Sequence, residues 1–215
     1  TVKVWSARTG ENIITFIGHT AGVNDCAISP NGCFVVSASS DYTVKIWDVK
    51  SAEEIASLVG HRGAVYGCAI SEDGETIISA SADRTLIIWD ARTRQSVKIL
   101  AGHTGAVRQC AISSNGDFIV SASDDCTLKI WDVSSGKERA QLIGHSDRVN
   151  DCAICENGSR IVSVSADETI RIWYPNNGID STVLSGHAAW ITGGLFSCAI
   201  SKDGNLIVTG SVSET

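Results

Sequence analysis

The sequence predicts an all-β chain built from repeated four-stranded units, and three periodic observations carry that prediction. Gly-His occurs at 18–19, 60–61, 102–103, 144–145 and 186–187, a spacing of 42 residues each time. Trp5, Trp47, Trp89, Trp131 and Trp173 keep the same spacing. Cys-Ala-Ile begins at Cys26, Cys68, Cys110, Cys152 and Cys198, where the last step lengthens to 46 because four residues are inserted between His187 and Cys198. Self-similarity at a fixed period of this length marks stacked supersecondary units that bury their faces against one another.

Residues 19 to 58 show how one unit is made. Val23 to Ser29 reads as a short strand, and Asn31-Gly32 supplies the positive φ angles of a tight hairpin turn. Phe34 to Ser39, rich in β-branched and small residues, returns as a second strand. Ser40-Asp41-Tyr42 turns the chain again into a third strand, Thr43 to Trp47, and Glu54 to Leu58 forms a fourth, more polar one. The turn signal recurs as Asp73-Gly74, Asn115-Gly116, Asn157-Gly158 and Asp203-Gly204. Four strands in 42 residues leave no length for a helix.

Composition narrows the function. Of 215 residues 43% are hydrophobic and 19% charged, enough apolar surface to offset chain entropy, so disorder is excluded. No apolar run reaches the about 18 residues of a membrane helix, and no signal peptide opens the chain. Seventeen Lys and Arg against 24 Asp and Glu leave a net charge of −7, which argues against nucleic acid as a partner because phosphate neutralisation supplies most of that affinity. The chain starts at Thr1 and contains no Met, which predicts a segment of a longer product.

The Gly-His pair, the Asp six residues before each Trp, and Trp-Asp at 47–48, 89–90 and 131–132 resemble the WD40 repeat signature. Trp5-Ser6 and Trp173-Tyr174 depart from the dipeptide but keep the ladder. The resemblance spans the whole chain and implies a β-propeller of five four-stranded blades in one domain, 1–215, with blades at about 19–58, 61–100, 103–142, 145–184, and 187–215 plus 1–17. Thr1 and Thr215 share one phase of the repeat, so residues 2–5 and 12–16 are expected to pair with 198–201 and 206–211 and close the ring. The alternative is an arc of a larger ring, since seven blades turn by about 51° each and five by about 72°.

The resemblance also assigns a structural tetrad to each blade. These are His19, Ser37, Asp41 with Trp47; His61, Ser79, Asp83 with Trp89; His103, Ser121, Asp125 with Trp131; and His145, Ser163, Asp167 with Trp173. The fifth would hold His187, Thr209 and Trp5, with Ser213 where Asp is expected, and is predicted to be the least rigid. Ser, His and Asp together also read as a hydrolytic triad. All five histidines occupy this one repeat position, however, and five equal copies read as staples, so no catalytic residue is assigned. The spacing of the eight cysteines lacks a paired zinc pattern, and no P-loop or dinucleotide motif occurs, so neither metal nor cofactor is expected. Five of the thiols are read as core residues and three (Cys33, Cys126, Cys155) as turn residues, which suits the cytoplasm.

Surface recognition remains. The family resemblance points to the wide face of the propeller, at positions flanking the Val of each first strand and at the residue before each tetrad Asp. The first group is Asn24, Tyr66, Arg108, Arg148, Asn150, Trp190 and Thr192, and the second is Ser40, Ala82, Asp124, Ala166 and Val212. Trp190 lies outside the tryptophan ladder beside the inserted Gly-Gly-Leu-Phe at 193–196, which makes it the first candidate for an interface anchor. The expected function is a non-catalytic protein-interaction scaffold, in the manner of arrays that form the sensor end of large signalling proteins. A glycan or small-ligand propeller would need an equivalent pocket in each blade, and a hydrolase would need a cluster unique to one blade.

Overall fold

The computed structural model describes residues 1–175, 181–184 and 194–211. Among them every regular element is a strand, and all pairing is antiparallel between neighbours in sequence. β1 (Val2–Trp5) and β2 (Asn12–Phe16) form a two-stranded sheet. Four four-stranded sheets follow: β3 (Val23–Ile28), β4 (Phe34–Ser39), β5 (Thr43–Asp48) and β6 (Glu54–Val59); β7 (Val65–Ile70), β8 (Thr76–Ser81), β9 (Thr85–Asp90) and β10 (Ser96–Ala101); β11 (Val107–Ile112), β12 (Phe118–Ser123), β13 (Thr127–Asp132) and β14 (Glu138–Ile143); β15 (Val149–Ile154), β16 (Ile161–Ser165), β17 (Ile170–Trp173) and β18 (Ser181–Leu184). β19 (Leu195–Ile200) and β20 (Ile207–Ser211) end the series as a second two-stranded sheet.

The core lies between sheets, which is why single strands read apolar on both faces. Val36, Ala38 and Ile46 of one sheet meet Val65, Cys68 and Ile77 of the next, and the following two junctions repeat the pattern with Ile78, Ala80 and Cys110, then Val120, Ala122 and Cys152. Phe16 of β2 stacks on Trp47 with ring centroids 5.2 Å apart, so the first two-stranded sheet packs on its neighbour by the same rule.

The two ends differ from the expectation. β1–β2 and β19–β20 are separate sheets, and the composite fifth blade is not formed among the described residues. Exposure follows from this. Val208 is 71% and Trp5 56% exposed, against 0% for Val36 and 2% for Trp47. Cys26 is likewise exposed and Cys198 half-buried, so the expected five core thiols reduce to Cys68, Cys110 and Cys152 at that position.

The hairpin turns also correct the sequence reading. Gly32 takes φ 69°, but Asn31 is not left-handed; its side chain instead accepts from the Ser29 hydroxyl at 2.8 Å and the Cys33 N–H at 3.0 Å. Ser29 Oγ in turn accepts from Phe34 N–H at 3.0 Å, as Ser71 does from Thr76 (2.9 Å), Ser113 from Phe118 (3.1 Å) and Ser201 from Leu206 (2.9 Å). Cys155 holds the equivalent position in the fourth sheet, where its sulfur, a weaker acceptor, takes Arg160 N–H at 3.3 Å. Cys155→Ser is therefore expected to stabilise the chain by about 0.5–1 kcal/mol, read as a higher midpoint in urea unfolding; an unchanged or lower midpoint contradicts it.

Candidate functional site

Four of the assigned tetrads are assembled with nearly equal geometry. His19 Nδ1 lies 2.7 Å from Asp41, His19 Nε2 lies 2.7 Å from Ser37 Oγ, and Trp47 Nε1–H donates to the same oxygen at 2.8 Å. The corresponding distances are 2.9, 2.7 and 2.8 Å for His61–Asp83, His61–Ser79 and Trp89–Ser79. They are 2.7, 2.7 and 2.8 Å around His103, Asp125, Ser121 and Trp131, and 2.8 Å throughout His145, Asp167, Ser163 and Trp173. The carboxylate can only accept, so Nδ1 carries the proton and donates to it; Nε2 of a neutral imidazole then accepts from the serine hydroxyl, whose oxygen accepts from the indole. A neutral imidazole satisfies the whole chain of bonds.

This connectivity matches a hydrolytic triad, and burial decides what it does. Ser37, Ser79, Ser121 and Ser163 are 0% exposed, so no substrate carbonyl reaches the hydroxyl. Burial also holds His61 and His145 below the ordinary imidazole range, outweighing the pull of Asp83 and Asp167. For Asp167 burial opposes ionisation, but hydrogen bonds from Thr169, the Ser146 N–H and His145 outweigh it and bring the carboxyl down to about 2. His187 and Ser213 lie outside the described residues, and Trp5 stands exposed on a sheet separate from that of Thr209.

The tetrads fix the turns at one end of the sheets, and the surface candidates project there. Each first strand carries a β-bulge just after its Val or Leu, between Val23 and Asp25, Val65 and Gly67, Val107 and Gln109, Val149 and Asp151, and Leu195 and Ser197. The extra residue is Asn24, Tyr66, Arg108, Asn150 or Phe196, left out of the ladder. This register moves one candidate. Leu195, not Ile191, stands where Val149 stands in the previous sheet, so the four-residue insertion precedes the strand and Phe196, 46% exposed, takes the bulge position. Trp190, Thr192 and Val212 lie outside the described residues.

The remaining candidates separate by what they touch. The Arg108 guanidinium stacks over Tyr66 at 4.9 Å from the ring centroid and binds Asp124 through two bonds, Nε at 2.7 Å and an η nitrogen at 2.9 Å. Three candidates thus form one rigid, half-buried patch across the second and third four-stranded sheets. Arg148 is half-buried one residue before Val149 of the fourth. Asn24 and Asn150 instead brace the fold: Asn24 Nδ2 donates to Val65 O at 2.7 Å and Asn150 Nδ2 to Leu195 O at 2.6 Å, each reaching the next sheet.

Their neighbours complete a clamp that sequence reasoning missed. Asp25 accepts from Cys68 N–H at 2.9 Å and Asp151 from Cys198 N–H at 2.8 Å, again across a junction. Gln109 reaches back to Asp25 at 3.2 Å, passing over Gly67, where any Cβ would collide with its amide. Burial raises the carboxyls of both Asp25 and Asp151 despite these bonds. The available signal was the identical hexapeptide Val-Asn-Asp-Cys-Ala-Ile at 23–28 and 149–154; its Asn reads as surface and its Asp has no evident role, since a single strand does not show that a neighbouring sheet supplies the partners.

A family model described as WD domain, G-beta repeat matches residues 10–48, 52–90, 94–132, 136–174 and 179–215. Each of the first four stretches begins before the outer strand of one sheet and runs through three strands of the next, so the repeat interlocks neighbouring sheets. Among curated proteins none matches the chain.

Proposed function

The chain belongs to the WD40 repeat family, and we propose from that premise that it is a non-catalytic scaffold docking a protein or peptide on the end that carries the tetrad turns. Domains of this family generally mediate contacts between proteins. The observation that carries the site is the Tyr66–Arg108–Asp124 patch, where an aromatic ring and a guanidinium are held rigid at a bulge. Such residue types dominate interface energetics, and immobilising them beforehand lowers the entropy lost on binding. Phe196 extends the surface at the equivalent bulge position and Arg148 one residue before Val149, and Trp190 and Thr192 belong to the same reading from sequence. Asn24 and Asn150 are reassigned from partner contact to bracing.

We read residues 1–215 as one domain, in the cytoplasm, serving as the sensor end of a larger signalling protein. The buried thiols support a reducing compartment, and no helix among the described residues is long and apolar enough to cross a membrane. The net charge of −7 favours protein over nucleic acid as the partner. Exposed Trp5, Cys26 and Val208, whose equivalents are buried, support an arc of a larger ring over closure with five blades.

Quantitative pull-down with the wild-type chain, Arg108→Ala, Tyr66→Ala and Trp190→Ala tests the site. A partner retained by the wild type is expected to fall by about tenfold or more in each variant. Equal recovery in all of them contradicts the proposed surface, and a strong hit on a glycan array redirects the function to carbohydrate.

A further inference from the structure

The opposite end of the sheets, away from the tetrads, holds a second feature. Ile70, Ile112, Ile154 and Ile200 end four successive first strands at the same register, and none of them is fully buried. Together they line a cavity of about 190 Å³ whose mouth carries Glu72, Glu156 and Lys202. That is smaller than the about 300–1,000 Å³ of typical small-molecule sites, and it suits one or two side chains. From Ser114 at its rim, two adjoining depressions lead outward past Glu72 and Asp73 on one side and past Asp117 and Glu156 on the other.

Charge decides among partners for this cavity. The depressions carry Glu72 and Asp73 on one side and Asp117, Glu156 and Arg139 on the other; Arg139 is already bound to Asp132, and Lys202 faces Glu156 at 3.9 Å, so the carboxylates remain in excess. Among the described residues Glu72 makes no ion pair. An acidic rim around an aliphatic floor repels nucleic acid and anionic lipid alike and attracts a cationic chain. The extended depressions on both sides match a peptide running past the cavity.

We propose that this end is a second docking surface, which takes an extended peptide segment with an aliphatic side chain in the isoleucine-lined cavity and flanking Lys or Arg against Glu72 and Glu156. It is separate from the Tyr66–Arg108 patch, so one chain bridges two partners.

The test uses the 215-residue chain and the capped pentapeptide Ser-Lys-Leu-Lys-Ser, followed by NMR. Saturable shifts are expected at the Ile70, Ile112 and Ile154 methyls, unchanged in Arg108→Ala. Affinity is expected to drop about tenfold or more when Leu is replaced by Ser, when both Lys are replaced by Glu, and in the double variant Glu72→Lys with Glu156→Lys. Both substitutions lie on exposed side chains, and a circular dichroism spectrum matching the wild type verifies folding. Absence of saturable shifts at these methyls, shifts centred on Tyr66 and Arg108, or equal affinity for all three peptides overturns the proposal.

Discussion

Trp131→Ala is expected to lower stability by about 3–5 kcal/mol, among the largest effects of any single substitution in this chain. Trp131 is 2% exposed and sits against Ile78, Ala80, Leu86, Leu100 and Cys110, mostly residues of the preceding sheet. Truncation therefore opens a cavity at a junction between sheets, where relaxation of one sheet disturbs the next. It also removes the indole N–H that donates to Ser121 at 2.8 Å and the edge contact to His103 at 6.0 Å. Trp131→Phe keeps most of the volume and loses the hydrogen bond, so its cost is expected near about 1–2 kcal/mol. Trp5→Ala is the control: its ring is 56% exposed, and the change is expected to stay below about 1 kcal/mol. Urea unfolding followed by circular dichroism ranks the three. A cost for Trp5→Ala equal to that of Trp131→Ala means that β1–β2 is completed by strands the structure does not join to it.

Asp167→Ala is expected to cost about 3 kcal/mol at neutral pH, with a pH dependence that identifies the cause. The carboxylate accepts from His145 at 2.8 Å, from the Ser146 N–H at 2.9 Å, and from Thr169 through its N–H at 2.9 Å and its hydroxyl at 2.7 Å. Removing it strands several donors at a turn where the aspartate side chain is only 6% exposed. The folded carboxyl titrates at about 2, below its ordinary value of 3.8. The folded state thus binds this proton less readily than the unfolded chain does. Its stabilisation is complete above about pH 4 and is lost as pH falls through about 2. The wild type and Asp167→Ala should accordingly differ most at neutral pH and converge toward pH 2. His145 adds an acid sensitivity of the same sign in the wild type, since burial depresses its folded value and protonation below about pH 6.5 favours the unfolded chain. A stability gap that stays constant down to pH 2 shows that the side chain acts by packing and not by charge.

Much of the fold was legible because the repeat places the same residue types at the same offsets. Gly-His, Ser, Asp and Trp each recur at 42 residues, and four copies assemble the same bonds within 0.2 Å. The fifth first strand was misregistered because Ile191 and Leu195 are interchangeable to a pattern that reads aliphatic residues. Only the pairing of Leu195 with Ser211 selects between them, and it brings Phe196 into the candidate surface.

The sequence by itself determined the unit: four antiparallel strands, a buried polar tetrad, and apolar faces that demand neighbours. Those properties depend on contacts within about 40 residues of chain, and the residues that make them are printed in each copy. Tertiary structure decided the rest. It turned Asn24 and Asn150 from partner contacts into braces, made Asp25 and Asp151 clamps between sheets, locked Arg108 onto Tyr66, and left the two terminal sheets unjoined. Each of these depends on the angle between one sheet and the next. That angle is set by how side chains from two different repeats fill a common gap, and no single repeat encodes it.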